Sequence, residues 1–195
     1  MQRIRYLTVI IGTNGTGKTS LIKKIISKFN QSGSRALLVT PDDAEYTYLK
    51  DYPLIDSKEF DFKNVRKHIF EPNHTFNTIS NNYRKGAVFF DDCRSYIPNN
   101  LESEKEFRNI LIRRRHKEID VFIIAHGFTD IPPKIFTYVN KYIIFKTTDP
   151  IVKRKDTILN YEAVEKAVKR INDKKLKIVD HFGKGKISYY EIISV

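Results

Sequence analysis

Gly12-Thr13-Asn14-Gly15-Thr16-Gly17-Lys18-Thr19 is the stretch on which the reading of this chain turns. The apolar run Arg5 to Ile11 precedes it and reads as a buried strand. Leu21, Ile22, Ile25, Ile26 and Phe29 follow at helical spacing, so Thr19 to Phe29 reads as an amphipathic helix. A glycine turn between a strand and a helix fits G-x-x-x-x-G-K-[ST], the Walker A pattern. Its glycines let backbone N–H groups converge on phosphate oxygens that side chains would block. The following helix adds its positive amino end. Lys18 reaches the β and γ phosphates, and Thr19 offers its hydroxyl to Mg²⁺. Gly12, Thr13, Asn14, Gly15, Thr16, Gly17, Lys18, Thr19 and Ser20 are therefore the candidate nucleotide-binding set, with ATP and Mg²⁺ as the expected ligands.

Further along, Ala87-Val88-Phe89-Phe90-Asp91-Asp92 has the form of a Walker B strand ending in carboxylates. Asp91 is the candidate Mg²⁺ ligand with Thr19. In hydrolases of the additional-strand class the next residue is usually a water-orienting Glu. Here it is Asp92, whose shorter side chain leaves slow hydrolysis open.

Outward from these motifs, strands and helices alternate. Ala36–Val39, Val65–Phe70 (an edge strand), Ala87–Phe90, Val121–Ala125 and Tyr142–Phe145 read as strands. Thr75–Tyr83, Leu101–Arg115 and Tyr161–Ile171 read as helices, and Pro132-Pro133 starts a short one ending near Asn140. Residues 42–64 read as an irregular excursion. Lys175 to Ile193 reads as a hairpin turning at Gly183-Lys184-Gly185. Continuous apolar strands in a βαβ rhythm predict a mostly parallel α/β sheet covered on both faces. One domain over 1–195 is the expectation.

Lys plus Arg number 35 against 23 Asp plus Glu, a net charge of +12. The excess is spread along the chain with no basic tail, which favours polyanion partners on a surface assembled by the fold. No apolar run approaches the ~18–20 residues of a membrane span. The amino end shows no signal-peptide pattern. Cys93 is the single cysteine, which excludes an intrachain disulfide and a cysteine zinc site. His68, His74 and His181 lack metal-ligand spacing.

Two further elements carry chemistry. Arg113-Arg114-Arg115-His116 closes a helix, where cations complement the dipole. The run also suits an arginine finger reaching a neighbouring subunit's γ-phosphate, or contact with DNA phosphates. Val121 to Ala125 ends in His126, placed to sense phosphate or water beside the nucleotide.

The order of these motifs, with Asp130-Ile131-Pro132-Pro133 and Thr148-Asp149-Pro150, resembles the HerA–FtsK superfamily. Within it, the chain is most similar to the small genome-packaging ATPases of tailless, internal-membrane viruses, with Zot-like phage ATPases as relatives. The resemblance runs from about residue 4 to residue 190. It implies an additional-strand, RecA/HerA-like P-loop NTPase fold with a C-terminal β-hairpin. It implies an ATP-hydrolysing translocase that moves viral double-stranded DNA into a preformed capsid in the host cytoplasm or on the virion. A homo-oligomeric ring of five or six subunits docking on capsid vertex proteins is also implied. Lys18, Asp91, Asp92, Arg115 and His126 would then be catalytic, with Arg115 acting in trans. Arg113, Arg114, Lys184 and Lys186 would be candidates for gripping DNA. A nucleotide-switched loader or assembly ATPase, and a P-loop nucleotide kinase, are the alternatives.

Overall fold

The structure, a computed structural model, describes residues 5–53, 60–173 and 190–195. Its strands are β1 (Leu7–Ile11), β2 (Ala36–Thr40), β3 (Val65–Ile69), β4 (Gly86–Phe90), β5 (Ile119–Ala125), β6 (Lys141–Ile144) and β7 (Glu191–Ser194). They form one sheet in the order β3-β2-β4-β5-β1-β6-β7. Every strand pair is parallel except β6 with β7. β1 and β2 are buried at all five positions, which is why they read as apolar runs rather than alternating ones.

Side chains alternate between two apolar layers, as the period of a strand requires. On one face Ile10, Leu38, Phe89, Ile124 and Ile143 pack with Ile22 and Ile26 of helix α1 (Lys18–Gln31). On the other, Val9, Val39, Val88, Val121 and Ile144 share a core with three helices. These are α2 (Thr75–Asn82), α3 (Lys105–Arg113) and α4 (Tyr161–Asp173). Phe76, Phe107 and Val164 are their buried contributions.

β5 lies between β1 and β4. The strand before the glycine turn is thus separated from the strand bearing Asp91 by an additional strand. β3 stands at one end of the strand order, as expected of a segment that Pro72 keeps from extending. The helix expected over Leu101–Arg115 divides instead. A 3₁₀ turn covers Leu101–Ser103, and Glu104 leaves helical geometry (φ −108°, ψ 68°) before α3 begins. Asn100 caps that turn by accepting the Glu102 N–H, so a local side-chain bond starts a separate element. The segment after Pro132 is likewise 3₁₀, over Pro133–Tyr138.

The first strand and turn of the expected C-terminal hairpin, with His181, Lys184 and Lys186, lie outside the described residues. Its last strand, β7, pairs antiparallel with β6. No helix among the described residues is long and apolar enough to cross a membrane.

Candidate functional site

The register of the parallel strands brings the motifs together. Ile11 stands opposite Ala125, and Phe90 opposite Ile123. The turn after β1, the acids after β4 and the histidine after β5 therefore emerge at the same, carboxyl edge of the sheet. They line a cavity of about 510 Å³ with Asn14, Gly15, Gly17, Lys18, Thr19, Ser20, Glu45, Asp91, Asp92 and His126 among its walls.

The turn owes its shape to four of the predicted residues. Thr13 donates its N–H (2.9 Å) and its hydroxyl (3.2 Å) to the Lys146 carbonyl after β6. The Thr16 hydroxyl donates to the Thr13 carbonyl at 2.7 Å. Gly12 is hemmed in, because a Cβ there would meet the Phe145 Cβ at 2.5 Å and the Thr16 hydroxyl oxygen at 2.9 Å. Gly17, at φ 104°, adopts the left-handed turn that lets α1 start at Lys18.

Lys18 is buried. Its ammonium donates to the Gly12 carbonyl and to the Thr13 carbonyl (3.1 Å), and lies 3.4 Å from His126 Nδ1. Burial lowers its pKa, while Asp91, Glu45, Asp92 and Asp130 act to raise it. On the far side of the ring, His126 Nε2 lies 3.5 Å from an Asp92 carboxylate oxygen. One neutral tautomer suits both neighbours: Nε2–H directed at Asp92 and Nδ1 facing the Lys18 ammonium.

Asp92 takes the left-handed conformation (φ 44°), and its carboxylate accepts the Ser95 hydroxyl at 2.6 Å. It is thus engaged by Ser95 and faced by His126. Asp91 is raised in pKa, chiefly by burial and further by the Glu45 and Asp92 charges. The hydroxyl of buried Tyr46 faces Asp91 without closing a well-formed hydrogen bond.

Sequence reasoning missed Glu45. It lies in the excursion after β2, and Thr19 donates its hydroxyl to Glu45 at 3.5 Å. Tyr46 next to it is buried at φ 60°, so packing pins the segment that presents Glu45. No motif marks this carboxylate; only the tertiary path of residues 41–46 over the cavity reveals it.

For Mg²⁺, the cavity offers the Thr19 hydroxyl and the Asp91 carboxylate. These hard oxygen donors fit the ion. The described residues hold no cluster of three or more His, Cys, Asp or Glu able to bind a metal on its own. The donor set therefore fits an ion completed by water and phosphate oxygens, the usual habit of Mg²⁺.

The loop after His126 is held from both ends. Asp130 accepts the Gly127 N–H (3.0 Å) and an Arg94 N–H (2.9 Å), and Asp149 accepts the Thr129 N–H (2.8 Å). These bonds are the structural use of the Asp130 and Asp149 regions.

The arginine run lies elsewhere. Arg115 is exposed in the turn between α3 and β5, at the amino edge, and is not brought to the cavity of its own chain. Arg114 departs from the expectation that it grips DNA. It is 6% exposed and donates to the carbonyls of Leu111 (2.7 Å) and Tyr138 (3.2 Å) and to the Asn140 side chain (3.0 Å). It ties α3 to the segment before β6. His68 is a satisfied core histidine, with Thr75 at 2.8 Å and the Tyr52 carbonyl at 3.2 Å. Cys93 is fully buried with a raised pKa, so it packs rather than reacts.

A Walker A turn, an acidic strand end and an intervening strand in one parallel sheet define an α/β P-loop NTPase fold of the additional-strand class. Among solved structures, the chain is similar to the genome-packaging NTPase B204 of Sulfolobus turreted icosahedral virus 2. With AMP bound, that structure has a TM-score of 0.70 at 16% identity, over 88% of each chain. With AMPPCP the TM-score is 0.68 at 15% identity, over 83% of this chain and 86% of that one. B204 of Sulfolobus turreted icosahedral virus, described as a DNA-packaging ATPase, gives 0.66 at 18% identity, over 83% and 85%. At such identities the likeness establishes the fold. No protein-family model matches the sequence, and no curated protein matches it.

Proposed function

We propose that this chain is an ATP-hydrolysing, DNA-translocating genome-packaging ATPase of a virus. The observation that carries the reading is the convergence of Lys18, Thr19, Asp91, Asp92 and His126 on one cavity. It occurs in a fold shared with B204, which was solved with nucleotides bound. The turn and the first residues of α1 bind the phosphates through backbone N–H groups, and Lys18 contacts their terminal oxygens. Mg²⁺, when bound through Thr19 and Asp91, neutralises phosphate charge.

Two carboxylates compete to orient the attacking water. Glu45 is the better placed. It has one long contact, to Thr19, whereas Asp92 is engaged by Ser95 and faced by His126. Asp92 then positions His126 rather than water. Arg115, too far around the sheet to serve its own cavity, would act on the nucleotide of a neighbour in a homo-oligomeric ring of five or six subunits. DNA is the polymer moved and a capsid vertex the docking point, in the host cytoplasm or on the virion.

Mg²⁺-ATPase rate across protein concentration, with and without double-stranded DNA, tests this reading, with Lys18→Ala as control. The expected result is DNA-stimulated hydrolysis that rises steeply with concentration. Hydrolysis indifferent to both would overturn it. A second reading, a nucleotide-switched loader with weak turnover, is favoured by the engagement of Asp92. Full nucleotide binding with negligible hydrolysis in the presence of DNA would select it.

A further inference from the structure

We infer that the amino edge of the sheet carries a second anion site, centred on Lys117 and shaped for the phosphodiester backbone of a nucleic acid. This rests on the DNA reading above but concerns a different surface. The strands between the two edges are five to seven residues long, which separates this edge from the cavity by roughly 15–20 Å.

Lys117 is 5% exposed, and among the described residues its ammonium has no hydrogen-bond or ion-pair partner. Its stem is buried while the ammonium still reaches solvent, so a cation without a partner in the chain stands open to an anion from outside. The Lys117 N–H donates to the Arg113 carbonyl (3.0 Å), and the Lys85 N–H donates to the Lys117 carbonyl (2.9 Å). These bonds set the end of α3 against the segment before β4. They bring the exposed Arg113, Arg84 and Lys85 onto the chain segments beside Lys117, and the charges of Arg84 and Arg113 act on its ammonium.

Burial, then the charges of Arg84 and Arg113, push Lys117 down to about 8. The acid that counters them is Glu106 of α3. Glu118, next in the chain, is taken by Arg5 at 3.4 Å. Arg115 adds a further exposed cation.

The arrangement is open. Cations on two chain segments flank a recessed one, with no glycine turn to enclose a triphosphate. Successive phosphates of a polymer fit such a row, and backbone contacts need no base reading. Lys117 is too recessed to reach into a neighbouring subunit, which leaves Arg115 as the group that projects.

The test is binding of a mixed-sequence 30-base-pair duplex to the full chain over a salt series, by fluorescence anisotropy, for wild type, Lys117→Met and Arg113→Gln. Thermal unfolding and ATP-analogue binding are measured alongside. The expected result is a ~tenfold loss of duplex affinity and a salt slope reduced by about 1 for each variant. Analogue binding stays unchanged, and Tm rises for Lys117→Met because a cation set against the charges of Arg84 and Arg113 is gone. Unchanged affinity and slope in both variants, with wild type binding the duplex, would overturn the site alone. A wild type that hydrolyses ATP yet binds no duplex would overturn the DNA reading and the site together. Loss of concentration-dependent hydrolysis without DNA, at unchanged duplex affinity, would assign the cations to a neighbour's nucleotide and overturn the nucleic-acid assignment.

Discussion

The two edges of the sheet each bury a lysine and treat it in opposite ways. At the carboxyl edge, Lys18 is 8% exposed and meets two carbonyls, with Asp91, Glu45, Asp92 and Asp130 all acting on its charge. At the amino edge, Lys117 is 5% exposed and meets Arg84 and Arg113, with Glu106 alone opposing them. A third buried lysine, Lys67, is held by Asp43 and Asp51 and has a raised pKa, led by the Asp43 hydrogen bond. A cation satisfied from within, like Lys67, is structural. One poised among carbonyls and carboxylates, like Lys18, can exchange those partners for phosphate. One left among cations awaits its partner.

The sharpest break between the edges is expected from Lys18→Ala. It should abolish ATP-analogue binding measured by calorimetry and leave duplex binding at the amino edge intact. Loss of both would merge the two sites. Next in size, Glu45→Gln should cut hydrolysis by about 10²–10³ while nucleotide binding persists, the range expected for a positioned acid or base. Asp92→Asn should cost less than about tenfold, since its partners hold it away from water orientation. The reverse order would return the catalytic role to Asp92.

A structural contrast comes third. Asp43→Asn combined with Asp51→Asn takes both charged partners from Lys67 and should destabilise the fold by about 1 kcal/mol, because both carboxylates are largely exposed, read by chemical denaturation. Lys117→Met, which removes a cation rather than its partners, should shift stability the other way.

The smallest effect is on pH. The Lys117 pKa is near 8 when folded, against an ordinary lysine value of 10.5. Between these values the unfolded chain binds more protons, so this group makes stability rise with pH from about 8 to 10.5. Below pH 8 both states are protonated and that contribution is gone. Lys117→Met should flatten the rise in a Tm–pH profile. Its neutralisation in the same window should weaken duplex binding by wild type more than by Lys117→Met.

Much of this was legible along the chain. Walker A is a local motif, since a strand, a glycine turn and a helix suffice to specify it. The apolar strands announced a parallel sheet because both faces are covered. The split of Leu101–Arg115 was hidden because Asn100 capping and the turn at Glu104 break a pattern whose apolar spacing looks continuous. Arg114 looked like its exposed neighbours, yet burial alone turned it into a tie between α3 and the segment before β6. Glu45 carried no signal, since its place depends on where a non-periodic loop crosses the cavity.

By itself, then, the sequence determined the phosphate-binding turn, the acidic strand end and the α/β class, all of which depend on residues within a few positions of each other. Tertiary structure alone decided three things: the insertion of β5 between β1 and β4, the approach of Glu45 to Thr19, and the stranding of Lys117 among cations. Each joins segments tens of residues apart, and strand register and burial, not local spacing, set which charges meet.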